Sequence, residues 1–87
     1  LLSSLSKKTY LASVITRVLS VDVCGKHESG RRKKNELLTT GMTVKEFYRE
    51  VKKQFPEYPA SRVNIEMNLK AGSIILTTED GRTVIPG

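Results

Sequence analysis

The sequence predicts a small α+β domain in which a mixed sheet of about four to five strands packs against one main helix, residues 43–55. Three stretches carry that prediction. Residues 43–55 place apolar side chains at helical spacing behind a capping signal, residues 63–69 alternate apolar and polar side chains, and Asp80-Gly81 sits between β-branched residues as hairpin turns do. An 87-residue chain has room for one core, because a domain of this size buries only about 60–65% of the surface it exposes unfolded. Its 38% apolar and 28% charged residues are ordinary for a globular domain.

Taken in order, residues 1–12 read as a flexible lead-in, partly serine-capped at Ser3, Ser4 and Ser6. A start at Leu1 without methionine predicts an excised piece of a larger protein. In residues 9–20, Leu11, Val14, Ile15, Val18 and Leu19 fit a helical stripe, while the β-branched content and the continuation through Val21 and Val23 fit a strand. The two combine as a strand over about 14–24, after a short helical turn. Gly25 and Gly30 bracket a bend, and residues 35–40 are a short apolar-centred piece ending at Gly41. Residues 14–40 therefore read as a hairpin whose connection, a basic loop over 25–35, holds the cations.

The helix over 43–55 has the most internal support. Thr43 and Glu46 make a capping box; Val44, Phe47, Tyr48 and Val51 recur at i, i+3, i+4 and i+7, and Phe55 follows one turn later. Lys52 and Lys53 suit the negative end of the helix dipole, and Pro56 ends the helix by excluding Phe55 from the α region. The outer face, with Lys45, Glu46, Arg49, Glu50, Lys52 and Lys53, is mixed in sign and solvated. After a stiff connector at 56–60, Val63, Ile65, Met67 and Leu69 alternate with Asn64, Glu66, Asn68 and Lys70. Wound as a helix, that segment would put apolar residues on two opposite sides, so a strand is expected. Lys70-Ala71-Gly72-Ser73 reads as a turn, Ile74-Ile75-Leu76-Thr77 as its partner strand, and Glu79-Asp80-Gly81-Arg82 as a second turn before Thr83-Val84-Ile85.

Leu37-Leu38 followed by Gly41-Met42-Thr43-Val44-Lys45-Glu46-Phe47 is similar to the second strand and helix start of the ubiquitin-like β-grasp family, and Glu79-Asp80-Gly81-Arg82-Thr83-Val84 resembles a later turn of that fold. The resemblance covers about residues 14–85 and implies a scaffold that binds through its sheet or loops without chemistry of its own. The departures are an enlarged first hairpin, no long closing strand unless 83–85 supplies it, and a Pro86-Gly87 end that does not support the role of a conjugated modifier. As the alternative, residues 43–85 resemble a winged helix, with 61–71 as recognition helix and 74–85 as the β-wing. That resemblance implies that Arg62, Asn64, Asn68 and Lys70 read base edges or phosphates.

The charge is concentrated. Lys26-His27-Glu28-Ser29-Gly30-Arg31-Arg32-Lys33-Lys34 holds five cations against one carboxylate and supplies +4 of the formal +6, leaving the rest of the chain nearly balanced. Such a run is an electrostatic footprint for an anion. Arg31 and Arg32 offer forked donors for phosphate, Lys26, Lys33 and Lys34 mobile point charges, and Lys7, Lys8 and Arg17 extend the patch if the first strand lies alongside. Tyr10, Phe47, Tyr48, Phe55 and Tyr58 all lie elsewhere in the sequence, so contacts are expected with the backbone and not by base stacking.

Catalytic groups are sparse. His27 beside Glu28 in a charged loop reads as a solvated imidazole, Cys24 as a packing residue, Glu79-Asp80 as turn chemistry, and Gly25 with Gly30 lacks the Gly-Lys-Ser/Thr of a phosphate-cradling loop. One cysteine and one histidine fall short of a zinc ligand set and allow no internal disulfide. The expectation is a non-enzymatic binding module without cofactor or metal, intracellular (nuclear or cytoplasmic) and free of membrane segments. Its leading partner is the phosphate backbone of DNA or RNA, contacted by Lys26, Arg31, Arg32, Lys33 and Lys34. The alternative is a ubiquitin-like protein-interaction domain whose partner offers an acidic surface or pairs with an open sheet edge.

Overall fold

A computed structural model describes all 87 residues. The chain folds as a small α+β domain whose helices outnumber its strands: α1 (Lys7–Ala12), β1 (Val14–Arg17), α2 (Gly30–Asn35), α3 (Val44–Gln54), α4 (Arg62–Ala71) and β2 (Ile74–Thr77), with a 3-10 turn at Leu2–Ser4. The sheet has two strands, β1 and β2, antiparallel with Val14 opposite Thr77 and Arg17 opposite Ile74. This overturns the expected β-grasp architecture of four to five strands. β1 stops at Arg17, its partner is β2 and not residues 35–40, and two of the segments read as hairpin or strand, 25–35 and 61–71, are helical over Gly30–Asn35 and Arg62–Ala71.

The helix read from the capping box is present. The Thr43 side chain accepts from the Glu46 amide at 3.1 Å, the Glu46 carboxylate accepts from the Thr43 amide at 3.2 Å, and Val44, Phe47 and Val51 are buried. The turn at 78–82 also lies where Asp-Gly places it: the Thr78 amide donates to the Arg82 carbonyl at 2.8 Å, Gly81 takes φ +88°, and Thr83 bridges back to Thr77. Within it the Thr78 hydroxyl donates to Asp80, and this bond, supported by Arg82, holds the Asp80 carboxyl below the usual carboxylate range. β2 is thus covered on both sides, by β1 and by the Val84 amide, which donates to the Leu76 carbonyl at 2.7 Å.

Residues 61–71 fail as a strand for a reason that explains the whole fold. Alternation treats Asn64 and Asn68 as solvent-facing, but both are buried beside Ile65 and Leu69, giving a stripe at i, i+1, i+4 and i+5 that only a helix presents on one side. Val63, counted as apolar and inward by alternation, is 53% exposed. Asn64 Nδ2 donates to Asn35 Oδ1 at 2.9 Å, and Asn35 Nδ2 donates to the Cys24 carbonyl at 2.9 Å. Asn68 Nδ2 donates to the Asn64 carbonyl at 2.7 Å while its Oδ1 accepts from the Cys24 amide at 2.9 Å. The helix ends in a Schellman turn, Ser73 N–H to the Asn68 carbonyl and Gly72 N–H to the Leu69 carbonyl, with Gly72 left-handed at φ +79°.

Helix 62–71 was the feature proper to the winged-helix alternative, but the base-reading surface assigned to it is absent. Asn64 and Asn68 are internal, Arg62 lies over the Tyr10 ring at 4.6 Å, and Lys70 pairs with Glu66 at 3.1 Å.

Residues 1–12, expected as a flexible lead-in, carry Leu2 and Tyr10 into the core, and the Leu2 amide donates to the Ile85 carbonyl at 2.8 Å. Ser6 caps α1 by accepting from the Thr9 amide. The Tyr10 and Tyr48 hydroxyls meet at 2.5 Å with their rings edge to face, so α1 is fixed to α3; burial pushes both hydroxyls above the ordinary tyrosine range. Thirteen apolar residues, among them Leu2, Ile15, Leu38, Phe47, Ile65 and Leu76, form a single cluster, so the chain has one core.

Candidate functional site

The cations expected on an open loop are carried mostly by α2 and the turn before it. Ser29 starts the helix by accepting from the Arg32 amide at 3.1 Å, and the preceding turn closes with the Ser29 amide on the Lys26 carbonyl at 2.9 Å. Gly25 is required where the chain enters this unit. Its φ is +111°, and a Cβ there would stand 2.9 Å from the Arg32 amide nitrogen, so backbone packs directly on backbone. The helix is held from below by Asn35, buried and bonded to Asn64 and to the Cys24 carbonyl.

Arg32 belongs to this support and not to the outer surface. Its Nη1 donates to the buried Val23 carbonyl at 2.9 Å, its Nε to Glu36 at 3.1 Å, and its Nη2 lies 3.5 Å from Asp22, leaving the side chain 17% exposed. The sequence grouped Arg32 with the ligand-facing cations; the protein's own carbonyl and two carboxylates use its donors. Arg32→Ala is therefore expected to lower stability by about 1–3 kcal/mol, by stranding a buried carbonyl and removing charge-assisted bonds. Arg31→Ala, at an exposed position, is expected to stay within about 0.5 kcal/mol of the unaltered protein. Urea denaturation of the two variants checks this; equal midpoints would remove the structural role given to Arg32.

The other four cations of the run form no ion pair: those of the chain join Arg32 to Asp22 and Glu36, Lys70 to Glu66, and Arg82 to Asp80. Lys26, Arg31 and Lys33 are exposed and Lys34 is half-buried. Arg31 and Lys34, three apart on α2, face a shallow groove together with Gly30, Phe55 and Tyr58, and Arg31 also faces a second depression with Gly25, Lys26 and Ser29. Of the possible extensions of the patch, Lys8 lines other depressions, against Thr78 to Arg82 and against Thr43 and Lys45, while Arg17 donates to the Leu38 carbonyl at 3.5 Å.

Two functional features escaped the sequence. Phe55 and Tyr58 lie more than twenty positions after the basic run yet share its groove, because α3 returns its C-terminus to α2; the Tyr58 amide bonds the Phe55 carbonyl at 2.9 Å, bending the chain at Pro56 and Glu57. The buried asparagines that seat α2 were the other, and their i, i+4 spacing beside Ile65 and Leu69 was the signal available for them.

The groups considered for chemistry sit apart. His27 is exposed on the turn, and the Cys24 thiol is 3.3 Å from the Met67 carbonyl. No group of three or more His, Cys, Asp or Glu side chains is placed to hold a metal ion, and no helix is long and apolar enough to cross a membrane. Comparison with protein families, with curated protein sequences and with solved structures finds no match to this chain.

Proposed function

We propose that this domain is a binding module for nucleic acid, holding the phosphate backbone with Lys26, Arg31, Lys33 and Lys34. The observation that carries the reading is the absence of any acidic partner for these four side chains, although Asp22 and Glu36 lie close enough to engage Arg32 between them. A cation whose charge is not spent within the protein is available for phosphate, and each phosphate neutralised releases condensed counterions. α2 gives Arg31, Lys33 and Lys34 a fixed backbone, seated through Asn35 and Arg32, and Arg31 shares one depression with Lys34 and another with Lys26. The contacts are to phosphate and carry little sequence preference.

The competing reading, a protein partner added to a sheet edge, is disfavoured by β2 being flanked on both sides and by residues 62–71 being helical. An acidic protein surface remains chemically compatible with the same cations and is an outcome of the test. Titration of the purified protein with random-sequence oligonucleotides at two salt concentrations is expected to give log K falling with log salt at a slope of about −3 to −4 for four contacts. Replacing Arg31, Lys33 and Lys34 together by alanine is expected to bring that slope to about −1. Affinity independent of salt, or unaffected by the triple substitution, would overturn the proposal; binding to polyglutamate as tight as to nucleic acid would move it to an acidic protein partner.

A further inference from the structure

We infer that the groove between α2 and the α3–α4 connector is a subsite for one unpaired base with its phosphate, so that the preferred ligand is single-stranded nucleic acid. This deepens the proposed function and rests on it.

The groove joins two chemistries that a single nucleotide requires. Arg31 and Lys34 on one wall are cations suited to phosphate, and Phe55 and Tyr58 on the other are aromatic, in a volume of about 310 Å³. Tyr58 is 67% exposed, a large ring left in water beside two cations, while Phe55 is half-buried against the core. Exposed aromatics next to a positively charged groove are the elements from which base-stacking platforms are made, and stacking tolerates any base because every base has a π-face.

The rings are also held by the backbone. Phe55 precedes Pro56 and Tyr58 precedes Pro59, and the α region is disfavoured for a residue before proline; Phe55, at φ −132° and ψ 67°, lies outside it. The Phe55–Tyr58 hydrogen bond closes the turn, and Ala60 packs on the core beyond it. Less freedom is then lost when a base stacks on Tyr58 than on an aromatic in a mobile loop. A duplex keeps its bases paired and cannot offer a face to the ring without unstacking, so the aromatic wall adds nothing to duplex affinity.

The test is fluorescence anisotropy with three probes of equal length: a single-stranded oligonucleotide, its duplex, and a single strand made entirely of abasic sites. The single strand is expected to bind tightest. Tyr58→Ala is expected to weaken it by about 5- to 100-fold and to leave the duplex and the abasic strand within about twofold. Tyr58→Phe is expected to keep single-strand affinity, since the ring and not the hydroxyl does the stacking, and far-ultraviolet circular dichroism checks that both variants fold. Arg31→Ala with Lys34→Ala is expected to weaken all three probes. Equal affinity of Tyr58→Ala and the unaltered protein for the single strand would overturn the base subsite while leaving phosphate binding intact. Failure of every probe to bind at low salt would overturn both.

Discussion

Asn68→Ala is expected to destabilise the domain by about 2–4 kcal/mol, a large fraction of the 4–13 kcal/mol that a chain of this length commands. The amide of Asn68 is fully buried and ties α4 to the entry of the basic turn: it donates to the Asn64 carbonyl within α4 and accepts from the Cys24 amide. Alanine leaves the Cys24 amide without its acceptor in a site of low dielectric, where an unmade hydrogen bond costs more than a made one contributes, and takes from the Asn64 carbonyl the donor it holds beside its helical bond. Asn68→Leu is expected to do no better, because the extra methylenes solvate neither group. Because Asn68 holds the Cys24 amide and the Cys24 carbonyl in turn accepts from Asn35 of α2, loss of stability should be accompanied by weaker anchoring of residues 22–35. Urea denaturation measures the first and amide hydrogen exchange at residues 22–35 the second. A change below 1 kcal/mol would mean that the network is open to water, contrary to its burial.

The second large effect separates helix from strand at 62–71. Ile65→Ala is expected to cost about 2–5 kcal/mol, the usual range for truncating a fully buried aliphatic side chain, since Ile65 is 0% exposed. Val63→Ala, two residues earlier, is expected to lie within about 0.5 kcal/mol of neutral, because Val63 is 53% exposed and alanine favours a helix more than valine does. On a strand the two side chains would share one face, and truncating either would create a comparable void. Thermal or urea unfolding of both variants decides the matter; comparable losses would restore the strand.

The proportion of this fold legible in the sequence followed how local each interaction is. The capping box of Thr43 and Glu46, the stripe of Val44, Phe47 and Val51, and the stop at Pro56 all act within one or two helical turns, and the helix Val44–Gln54 lies where they place it. The turn at Asp80-Gly81 is equally local. The Ser29 cap of α2 is local too, but four successive cations behind it give no buried stripe, and the segment is seated by Asn35 finding Asn64 across 29 positions. In the same way, polarity alone marks Asn64 and Asn68 as outward, whereas a fully satisfied amide can lie in a core.

The caps of α3, the late turn, a core of limited size and the concentration of positive charge at 26–34 are legible residue by residue, since composition and short-range hydrogen bonding suffice for each. Long-range packing sets the helical winding of 62–71, the pairing of β1 with β2, the inward turn of Arg32 to the Val23 carbonyl, and the place of Phe55 and Tyr58 beside Arg31 and Lys34. Each of these depends on which distant groups can satisfy a buried donor or fill a shared surface, and hydrophobic spacing along a single segment carries no record of that.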